Sequence, residues 1–159
     1  MTKKKTALSP IQAILNENST LLTDLCNGLG AIKRSDLKHI EVSLRKEFAD
    51  SIDIDSSFRE GHEGENRWDY LLGVTETSKV VGLEPHSAKD GETSVVIAKR
   101  IAALQQLRGH MKESARVSAW LWVASGDVYF ANTEKTRFKL DQNGILFVGK
   151  KVLRKHLPS

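Results

Sequence analysis

The sequence predicts an α/β or α+β domain: helices, then strands, then a long helix, then further strands. Three observations predict it. Apolar residues recur at helical spacing before residue 50 and again across residues 94–108. Between and after those stretches the apolar period shortens to two. Polar, glycine-containing segments punctuate the changes of period. The chain has 159 residues, 40% hydrophobic and 28% charged, enough to bury a core and ordinary for a globular protein.

Residues 1–8, with Lys3, Lys4 and Lys5, are expected to form a flexible basic N-terminus, and residues 9–159 one domain. Ser9 and Pro10 suit the cap and first turn of a helix, and Gln12 completes a capping box. Ile11, Ile14, Leu15, Leu21, Leu22 and Leu25 supply its apolar positions, and Gly28 and Gly30 end it. The polar run Asn16 to Thr20 leaves two short helices as the alternative. Ser35 begins the next helix, with Leu37, Ile40, Leu44 and Phe48 at helical spacing.

After Asp50 the pattern changes. Ile52 and Ile54 alternate as in a short strand, and Arg59 to Asn66 reads as a polar loop. Arg67 to Val74 predicts a strand with Trp68, Tyr70, Leu72 and Val74 on one face and Asp69 on the other. Lys79 to Glu84 predicts its hairpin partner across the Thr75–Ser78 turn. Thr93 or Ser94 caps a helix running to about Arg108, with Val96, Ile97, Ile101, Leu104 and Leu107 toward the core. Val117 to Ala124 follows as a strand, turned at Ser125-Gly126-Asp127 into Val128 to Phe130. Arg137 to Leu140 and Ile145 to Val148 form a last strand pair around the Asp141–Gly144 turn.

Several function classes are excluded. No apolar run reaches the length of a membrane span, and the residues after the basic start are too mixed for a secretory core, so no membrane partner is expected. The single Cys26 cannot form an internal disulfide, which suits a reducing cytoplasm; it falls in an apolar helical pattern and reads as a buried structural thiol. Nothing matches a phosphate-cradling GxxxxGK(S/T) loop or a serine elbow. His62, Glu63 and Glu65 fit no zinc spacing. Trp120 and Trp122 share one strand face, where core packing is the better reading than base stacking. Lys and Arg total 24 against 20 Asp and Glu, a net +4 that permits phosphate binding. Lys150, Lys151, Arg154 and Lys155 form an acid-free basic stretch, and Lys99, Arg100 and Arg108 a second group; solvated faces are the plainer reading of both.

Three acids occupy places where charge is unexpected. Asp69 lies mid-strand between Trp68 and Tyr70, and Glu84 ends the neighbouring strand. In a hairpin turning near Glu76 the two come close to being cross-strand neighbours, and carboxylates so placed repel unless a cation lies between them. Glu41 falls beside the apolar stripe of its helix, where a carboxylate carried toward a sheet needs a partner, a metal or Arg100. The bland alternatives are a solvent-facing Asp69, a Glu84 that opens a loop, and a Glu41 that snorkels to water.

The order is helix with acid, strand, strand with Asp69, strand ending in Glu84-Pro85-His86, helix, strand. It resembles the PD-(D/E)xK nuclease superfamily over residues 35–124, which implies a mixed α/β, restriction-endonuclease-like fold: a central mixed β-sheet flanked by helices, here with an additional N-terminal helix. The residues that carry the likeness are Trp68-Asp69-Tyr70 and Val81-Gly82-Leu83-Glu84-Pro85-His86. The resemblance implies a metal-dependent nuclease acting on nucleic acid, DNA above all, with Mg²⁺ or Mn²⁺ held by Asp69, Glu84, the Pro85 carbonyl and Glu41. It implies His86 and Lys99 as the groups that assist the attacking water and the charged phosphate. Arg100, Lys150, Lys151, Arg154 and Lys155 are the expected nucleic-acid contacts. The family usually carries lysine where this chain has His86; Lys99, or Arg100 beside it, is the replacement from the following helix. The alternative is a non-catalytic module of the same fold that binds nucleic acid or scaffolds a complex. A protein partner or a second copy would then pack on the apolar segment 10–29.

Overall fold

A computed structural model describes residues 7–129 and 133–159. Lys3, Lys4 and Lys5 and most of the expected flexible N-terminus, like Phe130, lie outside the described residues. One six-stranded sheet runs in chain order: Cys26–Asn27 (β1), Phe48–Asp53 (β2), Tyr70–Val74 (β3), Val80–Ala88 (β4), Ala119–Val128 (β5) and Ile145–Phe147 (β6). β1 to β4 pair antiparallel, whereas β4, β5 and β6 pair parallel. Antiparallel neighbours join by short turns, but parallel neighbours need a crossover. Glu92–Leu107 (α3) carries the first crossover and Glu134–Gln142 (α4) the second; Pro10–Ile14 (α1) and Ile54–Phe58 (α2) complete the α-helices of the described residues. The protein is therefore mixed α/β, with a mixed sheet flanked by helices.

Both faces of the sheet are covered. Ile11, Leu15, Trp68, Leu71, Val96, Leu107, Trp120 and Trp122 share the core on the α3 side. Ile40, Leu44, Tyr70, Leu72, Val81, Leu83, Leu121, Val123 and Val152 share the core on the other. Every residue of β3 is buried, as expected of a central strand with both faces covered, and the near-continuous apolar runs Leu71-Leu72, Val80-Val81 and Trp120 to Val123 follow from it. Gly82 makes room for the α3-side core: a Cβ there would lie 2.5 Å from the Trp120 ring and 2.9 Å from Trp68 Nε1. The two tryptophans meet edge to face above it, centroids 5.0 Å apart.

Several expectations need correction. The first helix stops at Ile14, and Thr20–Asp24 is a 3-10 turn, because Leu15 is extended and the polar run follows it. Ile11, Leu15 and Leu21 are buried in the chain's own core, so segment 10–29 does not offer that apolar face to a partner. Cys26 is half-buried in β1 rather than helical. The expected helix from Ser35 is two 3-10 turns, Arg34–His39 and Val42–Glu47, broken at an extended Ile40 that bridges to Val152. Ile54 opens α2 after β2 ends, with the Asp53 side chain accepting from the Ser56 amide.

The later elements also differ in part. Trp68 lies before β3 and packs on the opposite face from Tyr70. α3 starts at Glu92 behind Gly91, whose φ of +87° is easy only for glycine, rather than behind a Thr or Ser cap. Its buried residues are Val96, Ile97, Ala103, Gln106 and Leu107; Ile101 and Leu104 remain 46% and 42% exposed. Ser125 to Asp127 does not turn. β5 runs through it, with four steps from Ala124 to Val128 set against two from His86 to Ala88. Arg137 to Leu140 lies in α4, capped by Thr133, and β6 joins β5 in parallel rather than forming a hairpin.

Candidate functional site

The Tyr70↔Leu83 pair is the last of the β3–β4 ladder, so Asp69 and Glu84 are the next facing positions. The Asp69 amide donates to Glu84 Oε1 at 3.0 Å. Strand alternation turns Glu84 away from Leu83 and toward α3, and its side chain is 1% exposed. Lys99 meets it there in an ion pair at Oε2. The true inner face of α3 runs through Val96, Ala103 and Leu107, so Lys99 falls one turn on from Val96, on the sheet side.

His86 stands two residues along β4 on the same face, its Nδ1 3.5 Å from Glu84 Oε2 and its Nε2 2.6 Å from Glu92 Oε2. The Trp122 indole N–H donates to the His86 carbonyl at 3.3 Å, fixing the backbone. The hydrogen bond toward Glu84 raises the His86 pKa most, against the opposing effect of burial, and the Glu92 bond adds to it. The buried Glu84 thus outweighs the closer but more exposed Glu92, as expected where water screens less. The Glu92 acidity is strengthened in turn by its bond to His86.

Asp69 has no such partner. Among the described residues no hydrogen bond or ion pair reaches its carboxyl, which is pushed up to about 7 by burial, then by the Glu84 charge, with Lys99 pulling the other way. Asp36 adds repulsion there and accepts the Tyr70 hydroxyl at 2.5 Å; burial and then Asp36 raise the Tyr70 phenol. The folded Asp69 keeps its proton up to about pH 7, whereas an unperturbed carboxyl loses it near 3.8. Between those values the folded chain binds the extra proton, so its stability falls as pH rises. Asp69→Asn is expected to gain on the wild type in urea midpoint from pH 5 to about pH 7 and to level off above it; a constant difference from pH 5 to pH 7 would contradict it.

The structure brings together Asp69, Glu84, His86 and Lys99, and adds Glu92, which the sequence reading missed. Its signal was the acid directly after Gly91, hidden by assigning the helix start to Thr93 or Ser94. Pro85 lies between Glu84 and His86, where β4 has outrun β3 and a missing amide proton costs no bond on that side. Glu41 is not brought in. It caps the second 3-10 turn, its amide donates to Val152 O, and its neighbours Ile40 and Leu44 pack on the face away from Glu84. Arg100 turns from the acids to stack over Trp120, its Cζ 5.6 Å from the ring centroid. Lys150 pairs with Asp127 at the C-terminal end of β5, while Arg154 pairs with Glu47 and Glu76 near the β3–β4 turn; Lys151 and Lys155 are exposed. The basic stretch is thus divided between the two ends of the sheet.

Among the described residues no group of three or more His, Cys, Asp and Glu side chains is arranged to hold a metal ion. None of the described helices is long and apolar enough to cross a membrane. No family model, curated protein or solved structure matches the chain. What fold and site define is a mixed α/β protein with a compact cluster of acids and cations where β3 begins against β4.

Proposed function

We propose that this chain is a metal-dependent nuclease of the PD-(D/E)xK type, hydrolysing phosphodiester bonds in nucleic acid, DNA first, on a restriction-endonuclease-like variant of its mixed α/β fold. The observation that carries the reading is the partnerless Asp69 carboxyl held beside the buried Glu84. A carboxyl pushed up by burial and then by a neighbouring charge is a seat that a cation would relieve. Asp69 and Glu84 fit Mg²⁺ or Mn²⁺, hard cations that two carboxylates with water can retain. The ion, when bound, would neutralise charge on the scissile phosphate and lower the pKa of a bound water.

The rest falls to the chain's own residues. Lys99 brings a cation to the same point and can pass it from Glu84 to a phosphate oxygen. His86, clamped between Glu84 and Glu92, holds a proton and orients the Glu84 carboxylate. Pro85 stiffens the backbone between them. Lys150 and Lys151 supply salt-sensitive attraction for phosphates.

A second reading has its own support: Glu84 already accepts from the Asp69 amide, Lys99 and His86, so the cluster is held together without a metal. That favours a non-catalytic module which binds nucleic acid. Cleavage of single- and double-stranded DNA in Mg²⁺ and in Mn²⁺ separates the two. The nuclease reading expects cutting that falls by about 10²–10³-fold or more in Asp69→Asn. It also expects Mg²⁺ to raise the wild-type melting temperature and leave that of Asp69→Asn unchanged. Salt-dependent DNA binding without cutting in either metal would establish the module instead.

A further inference from the structure

A cleft of about 660 Å³ opens between the C-terminal half of α3, the loop after it and the start of β5. It lies toward the opposite end of α3 from Glu92, and of the residues expected to serve the nuclease reading only Arg100 lines it. Its volume falls in the range of small-molecule sites. Leu104, Leu107, Met111 and Val117 form apolar walls, with Trp120 at the back. Leu104 is 42% exposed there, a large apolar side chain left facing the opening.

The charge lining the cleft is unspent. Arg100, Arg108 and Arg116 all line it, and none forms an ion pair among the described residues, whereas Arg59, Arg67 and Arg154 each find a carboxylate. Arg100 is the most telling. Its Nε is buried without a hydrogen-bond partner, and burial alone lowers its pKa. A half-buried guanidinium whose Nε is cut off from water and given no partner costs stability unless something supplies one. Its position over Trp120 offsets part of that cost and leaves its hydrogen-bonding capacity open. Lys112 directs its ammonium at the Ala13 carbonyl, and among the described residues Glu113 is the single acid in the lining.

We infer that this cleft binds a small amphipathic organic anion. A phosphate or carboxylate head would sit on Arg100 and the two exposed arginines, and an apolar or aromatic body against the Leu104–Met111 wall. A guanidinium fork suits either head group. The inference is independent of the nuclease reading and survives its failure.

The test is a fluorescence titration of the full chain with 8-anilinonaphthalene-1-sulfonate, a flat aromatic anion. One saturable site is expected, weakened about tenfold or more in the double variant Arg108→Gln/Arg116→Gln. Both positions are exposed, so the urea midpoint should hold. Leu104→Gln, on the other wall, should weaken the probe independently. Displacement by adenosine 5′-monophosphate assigns a nucleotide-like ligand, and displacement by decanoate an acyl carboxylate. Displacement by neither overturns the head-group assignment. Binding that does not saturate, or is equally strong in both variants, overturns the site.

Discussion

Gly73→Ala is expected to destabilise the folded chain by about 3 kcal/mol or more, toward the upper end of what overpacking and a disturbed buried polar group cost. A Cβ at position 73 would lie 1.8 Å from Asp50 Oδ1, 3.0 Å from its Cγ and 2.8 Å from Pro10 Cβ. Asp50 cannot simply swing aside. It is 1% exposed, faces Gly73 across the β2–β3 pair, and its Oδ2 accepts the Ile11 amide at 2.9 Å. That bond ties the first turn of α1 to the sheet, and burial raises the Asp50 pKa against the hydrogen bonds that hold it. Shifting the carboxylate would strand it, and shifting Pro10 would move α1 off a core that includes Ile11 and Leu15. Urea unfolding measures the loss. Asp50→Ala alone should also destabilise, by removing the tie. The double variant should be less unstable than the two single losses predict, because the first change empties the space that the second fills. A Gly73→Ala midpoint within about 0.5 kcal/mol of wild type would mean that this contact is not tight.

What was legible in the residues was mostly local in origin. The turn between two apolar runs set the hairpin register, and with it Asp69 opposite Glu84. Alternation put Trp120 and Trp122 on one face, where both pack in the core. What was not legible depended on distant partners. Leu37, Ile40, Leu44 and Phe48 satisfy helical spacing, yet Ile40 bridges to Val152 and breaks the segment into two 3-10 turns. Glu41 therefore lost the helix face that would have aimed it at the acids. Phe138 and Leu140 imitate strand alternation, but α4 buries Leu140 and leaves Phe138 64% exposed. The choice between Lys99 and Arg100 was open because helical spacing places both near the sheet. Trp120 decides it, by taking the guanidinium and leaving the ammonium to Glu84. Glu92 was hidden because a left-handed Gly91 starts α3 where a serine or threonine cap was expected.

Glu84→Gln is expected to have the largest effect at the candidate site, and it separates structure from chemistry. The replacement keeps the shape and removes the charge that Lys99 and His86 share. Lys99, with its side chain 16% exposed, would be left a half-buried cation without its partner, a loss of about 3 kcal/mol by the behaviour of broken buried pairs. Asp69 would lose its strongest charge repulsion, so its titration should move down from about 7. His86 would lose the hydrogen bond that raises it most and should titrate at lower pH, as proton resonances of its ring would report. Adding Lys99→Met to Glu84→Gln removes the orphaned cation and should restore much of the lost stability. Under the nuclease reading that double variant stays inactive, because Glu84 and Lys99 each serve the reaction and their pairing is only the resting arrangement. Recovery of both stability and cutting would show that Glu84 serves only to neutralise Lys99. Loss of cutting that persists in the restabilised chain would tie the Glu84–Lys99 pair to the chemistry rather than to stability, and Glu84→Gln with Lys99 kept, assayed below its melting temperature, reports the carboxylate's own share.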